Sequence, residues 1–135
     1  MDILENKIIR TTEEIFLKEL SEISAMYNVL IVDIHGEKIQ TWNNFIEIIE
    51  KSFQFPTTCS DSMDRYLDWI RDLSWFDNDA YVIKIKNSDQ FLINNNKLRD
   101  EILYDLEEVV LPFWETEIEE VVVNGKRKLF RVYLF

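Results

Sequence analysis

Carboxylates recur at helical spacing in the middle of the chain, and this pattern is the one best suited to binding chemistry. The four aspartates of this acidic stripe are Asp61, Asp64, Asp68 and Asp72. Because each residue of an α-helix turns by about 100°, the four side chains fall within an arc of roughly 80°. Carboxylates held on a rigid helix accept charge-assisted hydrogen bonds from cationic side chains. The stripe therefore predicts a surface that binds a cationic partner.

A purely structural interpretation of the acidic stripe is also open. Like charges four residues apart weaken a helix by about 0.2–0.5 kcal/mol per pair. The dipole at the helix N-terminus favours only the first two aspartates, Asp61 and Asp64. Arg65 and Arg71 flank the arc and are placed to pair with its carboxylates. On periodicity alone, a solvated face with salt bridges is the simpler explanation of the stripe.

The other reactive side chains are weaker candidates for catalysis. His35 is the only histidine and stands at an expected turn, where a polar residue is ordinary. Cys59 has no basic neighbour in the sequence that would stabilise its thiolate. Glu107-Glu108, or the glutamates between residues 115 and 120, offer the paired carboxylates of a glycosidase. Acidic residues are so abundant that such pairs arise by chance, and we expect no catalytic residue.

Charge and composition exclude several classes of function. The chain has 26 acidic and 15 basic side chains and a formal net charge of -11, which disfavours direct binding to nucleic acids or anionic lipids. The single cysteine, Cys59, excludes an internal disulfide and any multi-cysteine metal site. The two glycines, Gly36 and Gly125, lie too far apart for a phosphate-binding loop. We expect neither a metal nor a cofactor.

Length and hydropathy predict one globular domain over residues 1–135. Hydrophobic residues make up 47% of the 135 residues, which is enough for a substantial core. No apolar run approaches the roughly 18 residues of a membrane span, and the N-terminus lacks the pattern of a secretory signal. We expect a cytoplasmic protein without membrane contact that is a monomer when it has no partner.

Hydrophobic periodicity predicts the elements that position the acidic stripe. Apolar residues at intervals of three and four predict helices over residues 12–26, 41–54, 62–73 and 97–111. Runs rich in β-branched residues predict strands over residues 29–34 and 81–85. Pro56 and Pro112 are expected to end the second and fourth helices. Helical crossovers between strands indicate parallel neighbours.

The C-terminal segment carries the signal of a β-hairpin. Asn124-Gly125 lies between two β-rich runs, residues 117–123 and 126–134, and this dipeptide favours a type I′ turn. The predicted fold is therefore a small α/β sandwich with a mainly parallel core sheet packed by helices. An N-terminal helical extension over residues 1–28 and the C-terminal hairpin complete it, and the hairpin makes the sheet mixed.

Several features of residues 29–111 form one pattern: the strand 29–34, Gly36, the helix after Thr41, Phe55-Pro56, and an acidic helix with Asp64 and Asp68 four residues apart. By this pattern, residues 29–111 resemble the barstar family of ribonuclease inhibitors. The resemblance continues more loosely through the strand 81–85 and the helix that starts near Lys97. It implies a barstar-like fold, to which the first 28 residues and the hairpin are additions.

The resemblance also implies roles for individual residues. Asp68 would insert into the active site of a nuclease and take the place of a substrate phosphate, with Asp64 as a supporting anion one turn earlier. An RNA-cleaving enzyme displays cationic side chains where phosphate binds, and a carboxylate pair on a rigid helix matches those donors. The predicted partner-binding residues are Asp64, Asp68, Thr58, Leu67, Asp61 and Trp69.

The chain departs from the family pattern around the acidic helix. Thr58, Cys59 and Ser60 stand where family members usually have tyrosines and a glycine, and Leu67 replaces a tryptophan. These changes remove stacking contacts, so the target nuclease is expected to differ from the best-known one. Trp69 and Trp75 offer aromatic anchors instead, because interface hot spots favour tryptophan. Core packing explains Trp69 equally well, and Trp75 has no periodicity by which to choose.

The resemblance implies a stoichiometric inhibitor, an immunity protein that binds and blocks a basic ribonuclease-type toxin and catalyses nothing. Two other functions remain open. An acidic chain of this kind also suits a module that recognises some other basic protein. A carboxylate-dependent hydrolase is the third possibility.

Overall fold

The computed structural model describes residues 5–135, so the first four residues of the predicted N-terminal extension lie outside the described residues. The strands are β1 (Ile8–Arg10), β2 (Val29–His35), β3 (Ala80–Lys86) and β4 (Leu129–Leu134). The helices are α1 (Glu13–Met26), α2 (Trp42–Ser52), α3 (Met63–Ile70), α4 (Asn96–Asp105) and α5 (Ile118–Val121).

One parallel sheet organises these elements, with the strand order β1-β4-β3-β2. β2 and β3 pair along seven residues, from Val29 opposite Ala80 to His35 opposite Lys86. β4 pairs with β3 on one edge and with β1 on the other, and both pairings are parallel. The predicted α/β fold with a parallel core sheet is therefore confirmed.

The first face of the sheet is covered by α2, α3 and the long helical segment that starts with α4. Phe45 and Ile49 of α2 and Tyr66 and Ile70 of α3 are fully buried there, in one cluster with inward-facing residues of β2, β3 and β4. The Trp114 indole donates a 3.0 Å hydrogen bond to the carbonyl of Ile70. Since the last carbonyls of a helix lack partners within it, this bond fixes the C-terminal end of α3 to the core.

The second face of the sheet is covered by α1. Phe16 and Ile23 of α1 are buried against a smaller cluster that includes Val82 and Tyr133. Arg131 on β4 is only 5% exposed. Its guanidinium lies 3.2 Å from the Glu19 carboxylate of α1, and this ion pair supplies the partner that a buried charge requires.

The strand β1 is not predicted by the sequence, because three residues are too few to show a period. Tertiary contacts determine it instead. The Asn6 side chain donates to the carbonyls of Leu111 and Lys128, each at 3.1 Å, and accepts from the Phe130 N–H at 2.9 Å. The N-terminal segment therefore supplies an edge strand of the sheet as well as the predicted helix.

The predicted C-terminal hairpin, and with it the mixed sheet, is wrong. Asn124 has the expected left-handed backbone, with φ at 60°, but the run before it is helical to Val121. Two causes override its β propensity. Ile118 is buried in the core, and β4 already has a parallel neighbour on each edge. No edge of β4 is left for an antiparallel partner.

The prediction that Pro112 ends the fourth helix is also wrong. After α4 the helix continues through two π-helical stretches, Leu106–Val110 and Phe113–Glu117, into α5. Pro112 itself has helical angles, with φ at -64°. The turns of a π-helix are wider than those of an α-helix, and their different hydrogen-bond pattern accommodates a proline that has no N–H to donate. Within the described part of the chain, no helix combines the length and apolar character that crossing a membrane requires.

A substitution at Gly36 tests the packing at the end of β2. Gly36 is buried, and a Cβ atom there would meet the backbone carbonyls of Lys86, at 2.9 Å, and Asn87. Backbone atoms cannot move aside as a flexible side chain does, so Gly36→Ala is expected to lower the free energy of unfolding by about 1–3 kcal/mol. Urea denaturation measures the loss. Ser24→Ala on the exposed side of α1 is the control, and equal midpoints for the two variants would contradict this packing.

Candidate functional site

The candidate site is built on α3, whose two sides have opposite characters. Ser62 caps the helix by accepting a 3.1 Å hydrogen bond from the Arg65 N–H. Tyr66 and Ile70 are completely buried beneath the helix. Because these two side chains fix how α3 lies on the sheet, the aspartates at the other positions are directed to solvent.

Two of the four predicted aspartates, Asp64 and Asp68, lie on α3, and Asp61 lies just before its N-cap; we call the surface of these three residues the acidic face. All three are exposed, and the side chains of Asp61 and Asp68 keep 77% and 75% of their accessible surface. Arg65 lies 3.0 Å from the Asp61 carboxylate, and Arg71 lies 3.5 Å from that of Asp68. Both flanking arginines therefore pair with the stripe, yet its carboxylates stay open to solvent.

Asp72 lies beyond the C-terminal end of α3, because the predicted helix 62–73 is too long. α3 ends at Ile70, and Leu73 adopts a left-handed conformation with φ at 50°. The Asp72 carboxylate accepts a 3.3 Å hydrogen bond from the Ser74 N–H. A side chain that binds the backbone two residues later favours a turn over a helix.

Residues 57–61 form a loop before α3 that is held in place by Glu50 of α2. One oxygen of the Glu50 carboxylate accepts hydrogen bonds from the Cys59 N–H and, at 3.1 Å, from the Thr58 hydroxyl. Bonds to an ionised carboxylate are stronger than those between neutral groups. Glu50 therefore fixes this loop, which we call the 57–61 loop, against α2.

Two further side chains hold the carbonyl groups of the 57–61 loop. The Trp42 indole donates to the Ser60 carbonyl at 3.0 Å. Arg65 donates to the Thr58 carbonyl at 2.9 Å while it also contacts Asp61. A loop ordered before binding loses less conformational entropy on forming a complex. The acidic face is thus bordered by a preorganised backbone.

The aromatic side chains of the site have both core and surface character. Trp69 and Trp75 are partly buried against the main core, with ring centroids 5.7 Å apart. The Trp69 indole donates to the Thr57 hydroxyl at 2.9 Å, and the Trp75 indole donates to the Phe53 carbonyl at 2.8 Å. Leu67 is also partly buried against the main core. That Leu67, Trp69 and Thr58 bind a partner stays a prediction.

Cys59 belongs to the 57–61 loop, and its side chain is fully buried in the main core. Burial, followed by the nearby Glu50 carboxylate, raises the pKa of its thiol to about 11. A thiol is nucleophilic only as the thiolate, so this environment suppresses its reactivity. The Cys59 side chain therefore acts as a small apolar group that packs this loop against the core.

The other titratable candidates of the sequence lie away from the acidic face in the chain. His35 ends β2 and lies 3.9 Å from Asp33 and 3.7 Å from Glu37. Glu107 and Glu108 are exposed on the π-helical stretch after α4. Among residues 5–135, no group of three or more His, Cys, Asp or Glu side chains is placed to hold a metal ion.

Sequence reasoning missed the residues that hold the 57–61 loop. Glu50 acts across eight and nine positions and Trp42 across eighteen, so no local motif joins them to the loop. Trp42 looks like an ordinary member of the apolar stripe of α2. By contrast, the helix cap at Ser62 and the placement of Arg65 and Arg71 beside the aspartates are local features that can be read from the sequence.

The Cys59 thiol provides a reporter for the role of Glu50. Glu50→Ala leaves the Cys59 N–H without its acceptor, and leaving a buried donor unpaired costs about 1–3 kcal/mol. We expect the native thiol to react with a disulfide reagent about tenfold faster in this variant, because the loop opens more often and the carboxylate no longer raises the thiol pKa. Glu47→Ala, one turn earlier on α2, is the control. Equal rates in both variants would show that Glu50 does not hold the loop.

The chain matches a known protein family over most of its length. The Barstar family, described as barnase inhibitor, matches residues 29–133. The match covers well over half of the chain, from β2 to β4, and includes the 57–61 loop and α3. It also includes the segment around Asn124-Gly125 that the sequence analysis treats as an addition. No curated protein and no solved structure gave a match. The chain belongs to the barstar family.

Proposed function

We propose that this protein is an immunity protein that binds the active site of a basic ribonuclease-type toxin and blocks it one-to-one. Membership of a family of ribonuclease inhibitors supports a nuclease as the partner. The proposal adds that the acidic face of α3 is the part that enters the enzyme. The protein then acts as a monomer in the cytoplasm of the cell that makes the toxin, and it catalyses no reaction.

The observation that carries this proposal is the exposed carboxylate of Asp68. It lies beyond the first turn of α3, where the helix dipole stabilises an anion little. Its contact with Arg71 is 3.5 Å long and solvent-exposed, and such pairs contribute little to stability. The Asp68 charge therefore adds little to the stability of the fold, whereas it would add directly to the binding of a cationic cleft.

The mechanism follows from the spacing of Asp64 and Asp68 on a helix fixed to the core. A ribonuclease holds the phosphate of RNA with arginine, lysine or histidine side chains. Two carboxylates one turn apart accept hydrogen bonds from the same donors and exclude the substrate. Long-range attraction between opposite charges also speeds the encounter of two proteins, and such steering is expected when a chain of net charge -11 meets a basic enzyme.

Alanine substitutions along the acidic stripe test this mechanism. Asp68→Ala is expected to weaken binding by about 2–5 kcal/mol, mainly through faster dissociation, because the enzyme's cations are left desolvated and unpaired. Asp64→Ala is expected to cost less. Asp72→Ala is the matched control, since this aspartate lies outside α3. All three variants should keep their stability to unfolding within about 1 kcal/mol.

The first partner to test is the protein encoded by the adjacent gene, because an inhibitor and its toxin are made together. Barnase, which the family's description names, is the second. Surface plasmon resonance gives both rate constants. Equal small losses at Asp64, Asp68 and Asp72 would indicate a diffuse acidic surface that recognises some other basic protein.

The charge of the chain also predicts how the association rate depends on salt. Attraction between an acidic face and a basic enzyme is screened over a Debye length of about 8 Å at physiological ionic strength. We expect the association rate to fall markedly between about 50 mM and about 500 mM salt while the dissociation rate changes little. Stopped-flow fluorescence of the tryptophans follows the reaction. An association rate that is independent of salt would contradict electrostatic capture.

A further inference from the structure

Arg71 places a cation directly beside the proposed phosphate mimic. It stands at the C-terminal end of α3, where its Nε donates a 3.0 Å hydrogen bond to the Leu67 carbonyl. Its Nη2 lies 3.5 Å from the Asp68 carboxylate. The side chain is one-third exposed. The Nε bond therefore places the Arg71 guanidinium next to an exposed part of the acidic face.

The guanidinium of Arg71 keeps donors for a further partner. An arginine side chain has five N–H donors. The bonds to Leu67 and Asp68 employ Nε and Nη2, and within the described part of the chain Nη1 makes no hydrogen bond. A helix C-terminus alone accounts for a cation at this position, and the Nη1 donors of this partly exposed side chain stay open to solvent, where a partner can reach them.

The charge of Arg71 affects how strongly a cationic cleft can bind Asp68. Cations that bind the Asp68 carboxylate would come close to the Arg71 guanidinium and repel it, and exclusion of water strengthens that repulsion. A partner that offers only cations would thus bind better without Arg71. A partner that also offers a carboxylate next to those cations would bind better with it.

We propose, on the basis of the function proposed above, that Arg71 binds a carboxylate of the ribonuclease that lies beside the cations receiving Asp68. RNA cleavage by acid–base catalysis needs a general base close to the scissile phosphate, and a carboxylate is one side chain that serves. Asp68 then fills the phosphate site while Arg71 pairs with the base. Arginine suits this task because its planar donors match a carboxylate.

The sign of the effect of removing Arg71 tests this inference. Arg71→Ala is expected to weaken binding about tenfold, measured with whichever of the two candidate partners, the product of the adjacent gene or barnase, binds the unmodified chain. Arg71→Gln keeps a long polar side chain without the charge and is expected to bind as weakly. Lys18→Ala, on the helix that covers the opposite face of the sheet, removes the same charge and should leave affinity unchanged. Thermal melts confirm that each variant is folded.

A double-mutant cycle identifies the carboxylate. Each Asp and Glu at the active site of the ribonuclease is changed to its amide, alone and together with Arg71→Ala. One of these changes should abolish the effect of Arg71→Ala. Unchanged or tighter binding of Arg71→Ala overturns the inference, and so does a loss that couples only to Asp68→Ala, since Arg71 would then merely position Asp68. If the unmodified chain binds neither ribonuclease, the proposed function itself fails and this inference fails with it.

Discussion

The parallel pairing of β4 on both of its edges is the constraint on which the rest of the structure depends. Its six residues are all buried, and it joins the N-terminal strand to β3 in one sheet. A strand covered on both faces needs helices on both sides. α1 covers one face, and α2, α3 and the helical segment from α4 to α5 cover the other. The buried Arg131 is compatible with this arrangement because Glu19 and Tyr133 contact its guanidinium.

Contacts with this core hold the acidic face rigid. Tyr66 and Ile70 anchor one side of α3, and Trp114 holds the carbonyl of Ile70. At the other end of the helix, Glu50 fixes the 57–61 loop by accepting hydrogen bonds from two of its residues. A surface held in this way has little conformational entropy left to lose, which favours tight binding of the proposed partner.

Charges of both signs on α3 serve different purposes. Arg65 contacts Asp61 and the Thr58 carbonyl, so it reduces repulsion within the acidic stripe and orders the loop. Arg71 contacts Asp68 but retains unpaired donors among the described residues. In the proposed complex such a mixed pattern of charges would favour one partner over related ones, because a cation repels a partner that lacks a matching carboxylate.

Local patterns in the sequence are enough to predict α1, α2, β2 and β3 from their helical and strand periods, and to place Asp64 and Asp68 on one exposed side of a helix. These patterns suffice because neighbouring residues produce them. Tertiary structure alone decided that residues 118–121 are helical, because burial of Ile118 and the occupied edges of β4 outweigh their β propensity. It likewise decided the contacts of Glu50 and Trp42 with the loop, since their partners are distant in sequence and meet only after the chain has folded.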